Sequence, residues 1–323
     1  MPAWISRIGG PSPSMATLRW PPGTGISRVV VGTGPCYRLA SAPMLLLVDL
    51  DGVVYRGTDP VPGVAALLAE RAALGDDVVY VTNNSMHYRA DYVTRLAALG
   101  APVTADRVIS APRATALYVT EHEPSIRRVL TVGASGLDRE VRDVGLEVVT
   151  SGYAAERMAK EGLDGWAAAG HPDAVIAGLD PQLTYLRIAA AVDCIRAGAR
   201  FIATNRDPTY PTERGLRPGA GSVIAAIEAA SGVSPLVIGK PEPLLLEEAA
   251  RAVGGDPRDA VVIGDGLLTD IAAARAVGAR SVLMLTGVST RAHVTALPVD
   301  QRPTAIAEDA DELRAALVAM AEV

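Results

Sequence analysis

The residues from Met44 to Asp51 form an apolar run of strand length that ends in two carboxylates, Asp49 and Asp51, with Gly52 directly after them. Such a run predicts a parallel strand that is buried on both faces. Open α/β sheets bind their ligands at the carboxyl ends of such strands. Because two neighbouring carboxylates repel each other unless a cation lies between them or one keeps its proton, the run predicts a reaction centre. The alternative is that Asp51 and Gly52 only form a turn.

Composition limits the kinds of protein that the chain can be. It has 323 residues, 49% of them hydrophobic, and a net charge of -6, which is compatible with two domains that each have a core. No apolar stretch approaches the ~20 residues of a membrane span, and an acidic balance argues against nucleic-acid binding. Cys36 and Cys194 lie too far apart to suggest a zinc site or a disulfide framework. We therefore expect a soluble, cytoplasmic protein that binds neither nucleic acid nor a membrane.

Apolar strands and helical segments alternate from Met44 onward, which predicts an α/β fold with a doubly wound, mostly parallel sheet. We assign residues 44–127 and 219–323 to this core, including a strand at 235–238, and residues 128–218 to an inserted smaller α/β domain. Residues 1–43 contain no acidic residue and no periodic pattern, so we expect a disordered extension or a start codon assigned too far upstream. An organelle transit peptide is the alternative for this leader.

Three further predicted strands end in polar residues of the kind that bind phosphate or metal. Thr82, Asn83 and Asn84 follow the strand at 78–81, and a turn of small polar residues can hold phosphate oxygens through its amides. Lys240 follows the strand at 235–238, and Lys160 is the only other lysine among 30 basic residues. Asp265 follows the strand at 260–263 and offers a hard oxygen ligand for Mg²⁺. The alternatives are an ordinary polar loop and a solvated lysine.

Taken in order, these four segments resemble the haloacid-dehalogenase (HAD) superfamily, and their spacing is similar to its class IIA branch of NagD-like, p-nitrophenyl phosphatase and phosphoglycolate phosphatase enzymes. The resemblance extends from Leu45 to the C-terminal region. The residues that carry it are Asp49-Leu50-Asp51-Gly52-Val53-Val54-Tyr55, Val81-Thr82-Asn83-Asn84-Ser85, Gly239-Lys240-Pro241 and Gly264-Asp265 through Thr269-Asp270. The inserted segment resembles the cap domain of that branch.

The resemblance implies a Mg²⁺-dependent phosphomonoester hydrolase that works through an aspartyl-phosphate. Asp49 would be the nucleophile, Asp51 the general acid and base, and Lys240 the residue that orients Asp49. The phosphate-binding residues implied are Thr82, Asn83, Asn84 and Lys240. The metal ligands implied are Asp49, Asp51 through its carbonyl, and Asp265, with Asp270 supporting them. The substrate would be a small phosphate ester such as phosphoglycolate, glycerol phosphate or p-nitrophenyl phosphate.

Substrate choice is expected to depend on Asn205, Arg206 and Asp207, which resemble the specificity loop of the branch. His87 and Tyr88 are further candidate contacts. Three positions depart from the usual family pattern, since relatives generally have Arg in place of Gly266, often an acid near Leu268, and Pro in place of Arg206. The family also leads us to expect a homodimer formed through the cap. Two alternatives remain: a phosphomutase or phosphotransferase that uses the same intermediate, and a non-catalytic protein that binds a phosphorylated metabolite.

Overall fold

The chain contains two large parallel sheets with helices packed against them, in a computed structural model that describes residues 2–4, 17–19, 43–162, 171–212 and 215–322. The strands are β1 (Pro2–Trp4), β2 (Thr17–Arg19), β3 (Leu45–Asp49), β4 (Tyr55–Arg56), β5 (Asp59–Pro60), β6 (Asp77–Thr82), β7 (Val108–Ser110), β8 (Arg128–Val132), β9 (Glu147–Thr150), β10 (Ala174–Ala177), β11 (Arg200–Ala203), β12 (Thr209–Thr212), β13 (Gly215–Pro218), β14 (Leu236–Val237), β15 (Ala260–Gly264), β16 (Arg280–Met284) and β17 (Ala305–Ala307). The helices are α1 (Val64–Ala73), α2 (Arg89–Ala98), α3 (Ala111–His122), α4 (Ser135–Asp143), α5 (Ser151–Glu161), α6 (Tyr185–Arg196), α7 (Ala220–Ser231), α8 (Leu244–Arg251), α9 (Ala272–Val277), α10 (Arg291–Ala296) and α11 (Ala310–Ala321).

The first sheet has six strands in the order β17-β16-β15-β3-β6-β7, all parallel to their neighbours. The apolar run at its centre divides between two cores, because alternate side chains of a strand point to opposite faces. Leu46 and Val48 pack in one core with α1 and α11. Leu45 and Leu47 pack in the other with α3, α8 and α9. The predicted doubly wound α/β sheet is therefore confirmed.

The second sheet has five parallel strands in the order β14-β11-β10-β8-β9. One face packs against α5, α6 and α7 in a core that includes Phe201. The other face contributes Ile176 and Ile202 to the same hydrophobic cluster as Leu47 of the first sheet, together with Val119 of α3. The two sheets are thus joined by a continuous apolar layer that contains α3.

The assignment of the strand at 235–238 to the first sheet is wrong. Leu236 and Val237 pair with Ile202 and Ala203 at the edge of the second sheet, and α7 packs on that sheet through Val223. A two-residue edge strand carries too little pattern to identify its partner, since hydrogen bonding to one sheet or the other is decided by tertiary packing. The proposed domain boundaries at 127/128 and 218/219 stay a prediction. Helix α7 and strand β14 nevertheless follow residue 218 in the chain and pack with the second sheet.

Two short antiparallel hairpins project from the sheets. Strands β4 and β5 form one, directly after the apolar run, and β12 and β13 form the other. No strand was predicted in the proline-rich segment that holds the second hairpin.

The N-terminal segment is described only in part. Strands β1 and β2 pair with each other, and the remainder of residues 1–42 lies outside the described residues, so the expectation for this leader stays a prediction. Among the described helices, none is long and apolar enough to cross a membrane.

Candidate active site

The predicted polar strand ends of the first sheet meet at one edge. Strand β3 lies between β6 and β15, and the register pairs Asp49 with Val81 and Val48 with Ile263. Asp49, Thr82 and Asp265 therefore lie at nearly the same level along their three strands, as parallel pairing requires. All three are buried, with 7%, 3% and 8% of their surface exposed.

Lys240 connects two carboxylates at this edge. Its Nζ atom lies 2.5 Å from Asp49 Oδ1 and 2.6 Å from Asp270 Oδ1, and the side chain is 2% exposed. Burial by itself lowers the pKa of a lysine, but Asp270 and Asp49 outweigh it and raise the pKa of Lys240. Lys240 is therefore charged throughout the physiological range, and it fixes one oxygen of Asp49 while Oδ2 accepts no hydrogen bond from the described residues.

Asp49, Asp265 and Asp270 form a compact group in which one carboxylate oxygen from each residue lies within 4.8 Å of the other two. Burial, and then the charge of Asp270, raise the pKa of Asp265 to about 6. Burial also raises the pKa of Asp49, against the opposing effect of Lys240. Three buried carboxylates beside one ammonium leave an excess of negative charge, and a divalent cation with oxygen ligands fits this donor set.

Asp265 and Asp270 are held in place by backbone amides. Val288 N donates to Asp265 Oδ2 at 2.7 Å, and Gly266 N donates to Asp270 Oδ2 at 3.0 Å. Residues 267–271 form a single π-turn ahead of α9, a distortion that is frequent at functional sites. Gly287 allows the approach to Asp265, because a Cβ atom at this position would lie 1.8 Å from Asp265 Oδ2.

Asp51 lies apart from the three-carboxylate group, on the wall of the same cavity. Its position is set by a tight turn in which Gly52, at φ 82°, donates its N–H to the carbonyl of Tyr55 at 2.7 Å. Asp51 is partly buried, and burial raises its pKa against the opposing charge of Arg95. The turn interpretation of Asp51 and Gly52 is therefore correct as geometry, and it also brings the second carboxylate to the cavity.

Thr82 and Asn84 organise the loop that follows β6. Thr82 Oγ1 accepts a hydrogen bond from Asn84 N at 3.2 Å, and Asn84 Oδ1 accepts one from Met86 N at 3.0 Å. Thr82, Asn83 and Asn84 all line the cavity. The loop is also attached to the second sheet, since Ser85 Oγ accepts a hydrogen bond from Leu179 N at 2.9 Å.

The side chain of Asn83 is engaged with protein groups. Its Nδ2 donates to Asp207 Oδ2 at 3.1 Å and to the Lys240 carbonyl at 2.9 Å. Its Oδ1 accepts from Lys240 N at 2.9 Å, and Asn205 Nδ2 donates to the Asn83 carbonyl at 2.7 Å. Asn83 therefore joins three separate loops.

The predicted specificity residues divide in the structure. Asp207 lines the cavity, and burial raises its pKa, although the Asn83 amide opposes this. Asn205 also lines the cavity but is 2% exposed and braces the loop, accepting from Asp207 N at 3.0 Å. Arg206 does not reach the described cavity lining, because its guanidinium pairs with Glu228 at 2.8 Å and 3.1 Å.

The two other candidate contacts also differ. His87 lines the cavity, where it packs edge to face on Tyr92. Tyr88 is not among the described lining residues, and its hydroxyl donates to Asp143 Oδ2 at 2.5 Å on α4. Its expected contact with substrate is not supported.

Sequence reasoning missed the segment after β16. Thr286 Oγ1 donates to the Gly52 carbonyl at 2.5 Å, and Gly287 and Val288 contact Asp265. Since β16 is the parallel neighbour of β15, its end meets the same edge, and applying the strand-end argument to this strand would have found the segment.

The cavity that contains these groups has a volume of about 550 Å³. Its floor is the carboxyl edge of the first sheet, and its remaining walls come from the hairpin after β3, from α2 and from the loops of the second sheet. The additional described lining residues that sequence reasoning did not single out include Tyr55, Arg56, Tyr92, Arg95, Thr209 and Tyr210. The site contains the Asp49 carboxylate, fixed by Lys240, a second carboxylate at Asp51 and a group of ligands for a cation. These are the groups that nucleophilic attack on an electrophilic phosphorus requires.

Known protein families match the two segments of the chain that contain Asp49 and, further on, Lys240 and Asp265. The family model of the haloacid dehalogenase-like hydrolases matches residues 46–147, and a HAD-hydrolase-like model matches residues 237–313. The D-glycerol 3-phosphate phosphatase of Mycobacterium tuberculosis is 38% identical over 264 residues, covering 82% of this chain and 69% of that protein. The 5'-nucleotidase YutF of Bacillus subtilis is 32% identical over 249 residues, covering 77% of this chain and 90% of that protein.

A solved structure shows the same architecture. The glycerol phosphate phosphatase of Mycobacterium tuberculosis, crystallised with magnesium, superposes with a TM-score of 0.71 at 36% identity. The superposition covers 85% of this chain and 77% of that one. Both the core and the inserted sheet are thus shared with a protein of known activity.

Proposed function

The chain belongs to the haloacid dehalogenase-like hydrolases, in their class IIA phosphatase branch, and on that premise we propose that it hydrolyses small phosphomonoesters with Mg²⁺ through an aspartyl-phosphate. The observation that carries this proposal is the Asp49–Lys240–Asp270 chain beside Asp265 in one buried cavity. Phosphatases acting on glycerol phosphate and on nucleotides are among the similar proteins, and they support a phosphate-ester substrate.

Asp49 is the proposed nucleophile. Lys240 holds Oδ1, so Oδ2 is the oxygen that attacks phosphorus while the ester oxygen leaves. Asp51 donates its proton to that leaving oxygen, and it then removes a proton from the water that attacks the phosphoryl-aspartate. Acid–base assistance of this kind is typically worth ~10²–10⁴-fold in rate.

Asp49, Asp265 and the Asp51 carbonyl are the proposed Mg²⁺ ligands, with Asp270 keeping Lys240 and the ligand loop in position. When bound, the cation supplies neutralisation of the charge shared by the carboxylates and the phosphoryl oxygens. Thr82 and the backbone amide of Asn83 hold phosphoryl oxygens, and Lys240 adds a compact positive charge.

A phosphate-release assay tests the proposal. Purified protein is given p-nitrophenyl phosphate, glycerol 3-phosphate and a nucleoside 5'-monophosphate, each with Mg²⁺ and with excess EDTA. We expect phosphate release that EDTA abolishes and added Mg²⁺ restores. Tight binding of these esters with no release of phosphate in Mg²⁺ would contradict the proposal and favour a binding protein. Transfer of the phosphoryl group to an added sugar phosphate, in place of water, would favour a mutase.

A further inference from the structure

The positive charges that line the cavity differ in how they are paired. Lys240 is fully engaged with Asp49 and Asp270. Arg56 and Arg95 also line the cavity, and neither forms an ion pair with a carboxylate in the part of the chain that the structure describes. Asp51 lies on the same wall and forms no salt bridge with Arg95 among the described residues, although the charge of Arg95 acts on it. Two guanidinium groups are thus available to an anion that enters the cavity.

Arg95 is held in a defined position. Its Cζ atom lies 3.3 Å from the centroid of the Tyr55 ring, and Tyr55 is 1% exposed, so the surface that supports the guanidinium is fixed. Nη2 donates to the Gly57 carbonyl. Stacking on an aromatic ring fixes the plane of the guanidinium, and the N–H groups that these contacts do not use are preorganised for contact with an oxyanion.

The position of Arg95 relates it to the leaving group. Tyr55 is bridged to Asp51 in the turn after β3, so the guanidinium stacked on Tyr55 belongs to the part of the cavity in which Asp51 is proposed to protonate the leaving oxygen. On the opposite side, the second sheet and its hairpin contribute the neutral residues Thr209 and Tyr210 to the lining. They also contribute Asp207, whose carboxylate accepts a hydrogen bond from the Asn83 amide. The cationic side of the cavity is therefore the wall formed by α2 and the β4–β5 hairpin.

On the basis of the proposed function, we propose that Arg95, assisted by Arg56, binds a second oxyanion carried by the leaving alcohol of the substrate. The preferred substrates are phosphomonoesters whose alcohol bears a carboxylate or a further phosphate a few bonds from the ester oxygen. Arg95 is in this account a specificity-determining residue that touches substrate. In this proposal Arg95 has the role that the sequence suggested for Arg206, whose guanidinium pairs with Glu228 outside the described cavity lining.

Matched substrates test this inference. 2-Phosphoglycolate and 2-hydroxyethyl phosphate differ in carrying a carboxylate or a hydroxymethyl group, and ethane-1,2-diol bisphosphate carries a second phosphate. We expect the wild-type protein to prefer one or both of the anionic esters. Arg95→Gln should lower kcat/KM for the preferred ester by ~10- to 100-fold, the usual effect of losing hydrogen bonds to a charged group. The two anionic esters distinguish a carboxylate from a phosphate as the recognised group.

Controls separate recognition from structural effects. Arg95→Gln should lower kcat/KM for 2-hydroxyethyl phosphate and p-nitrophenyl phosphate much less than for the preferred ester, because these two esters lose only the effect of the Arg95 charge on Asp51. Arg95→Lys should recover part of the loss because it keeps the charge. Arg206→Gln, a matched change outside the cavity, should leave the preference intact. If Arg95→Gln does not fold, Arg56→Gln should still weaken the preference for the anionic ester, and an unaltered preference in that variant would overturn the inference.

Three results would contradict the inference. An equal fall of kcat/KM on neutral and anionic esters would show that Arg95 only supports the hairpin or Asp51. Hydrolysis of p-nitrophenyl phosphate by the wild type with no preference for either anionic ester would overturn the inference and leave the proposed function standing. Failure to hydrolyse any phosphomonoester in Mg²⁺ would overturn both.

Discussion

Asn83 and Asp207 are 124 positions apart in the chain, and the Asn83 side-chain amide donates to both oxygens of the Asp207 carboxylate, at 3.1 Å and 3.2 Å. The same amide group also contacts the backbone of Lys240 on both its N–H and its carbonyl. One side chain therefore fixes the loop after β6, the loop after β11 and the lysine that contacts Asp49. This relationship makes Asn83 a positioning residue for the proposed chemistry.

Asn83→Ala should reduce both stability and turnover. The half-buried Asp207 carboxylate loses its donor, which costs about 1–3 kcal/mol of unfolding free energy. Lys240 loses its backbone anchor, and misplacement of a catalytic group lowers kcat by up to ~10²-fold. Thermal melting and steady-state kinetics measure the two effects.

The double variant Asn83→Asp with Asp207→Asn is the matched control for this prediction. It reverses the direction of the amide–carboxylate contact, so it should recover part of the stability that Asn83→Asp alone loses through like-charge repulsion. Wild-type melting temperature and kcat in Asn83→Ala would contradict the positioning role.

Gly287→Ala should weaken the cation site through steric displacement of Asp265. The added Cβ would lie 1.8 Å from Asp265 Oδ2, so the carboxylate has to move. Displacing the support of a metal ligand typically costs 10–100-fold in affinity, and we expect the Mg²⁺ concentration for half-maximal activity to rise by about that factor. Gly254→Ala is the control, because Gly254 has φ 69° and open space around its Cβ position. It should cost ~1–2 kcal/mol of stability with the Mg²⁺ requirement unchanged, and an identical Mg²⁺ response in the two variants would argue against the proposed site.

Asp265→Asn should remove the stabilisation that Mg²⁺ gives to the folded protein. A ligand present at 100 times its dissociation constant stabilises the native state by about 2.7 kcal/mol, so the wild-type melting temperature should rise when EDTA is replaced by Mg²⁺. The variant should show little or no rise. Asp256→Asn, at an exposed ion pair with Arg258, should retain the full rise. A wild-type Mg²⁺ shift in Asp265→Asn would exclude this carboxylate as a ligand.

Arg206→Gln should leave kcat/KM within about twofold for every phosphomonoester tested. Arg206 is paired with Glu228 at a partly exposed position, and such a surface pair contributes only ~0–1 kcal/mol. Steady-state kinetics over a panel of esters measures this. A selective loss for one class of ester would show that Arg206 leaves Glu228 when substrate binds.

The parts of the fold that the sequence predicted are those in which local pattern and tertiary packing agree. The apolar run predicts a strand buried on both faces, and Leu45–Asp49 is such a strand in the structure. The polar ends of β3, β6 and β15 meet because neighbouring parallel strands end at the same edge of the sheet. The edge strand at Leu236–Val237 was assigned to the wrong sheet, since two residues contain no information about their partner.

The site was predictable to the extent that its residues follow strands. The placement of Asp49, Thr82 and Asp265 at one cavity was predicted in this way, while their roles stay a prediction. The position of Arg95 on the cavity wall was not predicted, because it lies in the last turn of α2 and not at the end of a strand. Arg206 is the converse case, since a sequence pattern cannot show that its guanidinium pairs with Glu228 on the next helix. Its role in substrate choice stays a prediction.

Phosphate release by the Asp49→Asn variant tests the central claim most directly. The exchange removes the nucleophilic oxygen and keeps the size of the side chain, so circular dichroism should show an unchanged fold. With Mg²⁺ and p-nitrophenyl phosphate, we expect release by the wild type and none above background from the variant. Mg²⁺-dependent release by Asp49→Asn at a rate comparable to the wild type would contradict the assignment of Asp49 as the nucleophile.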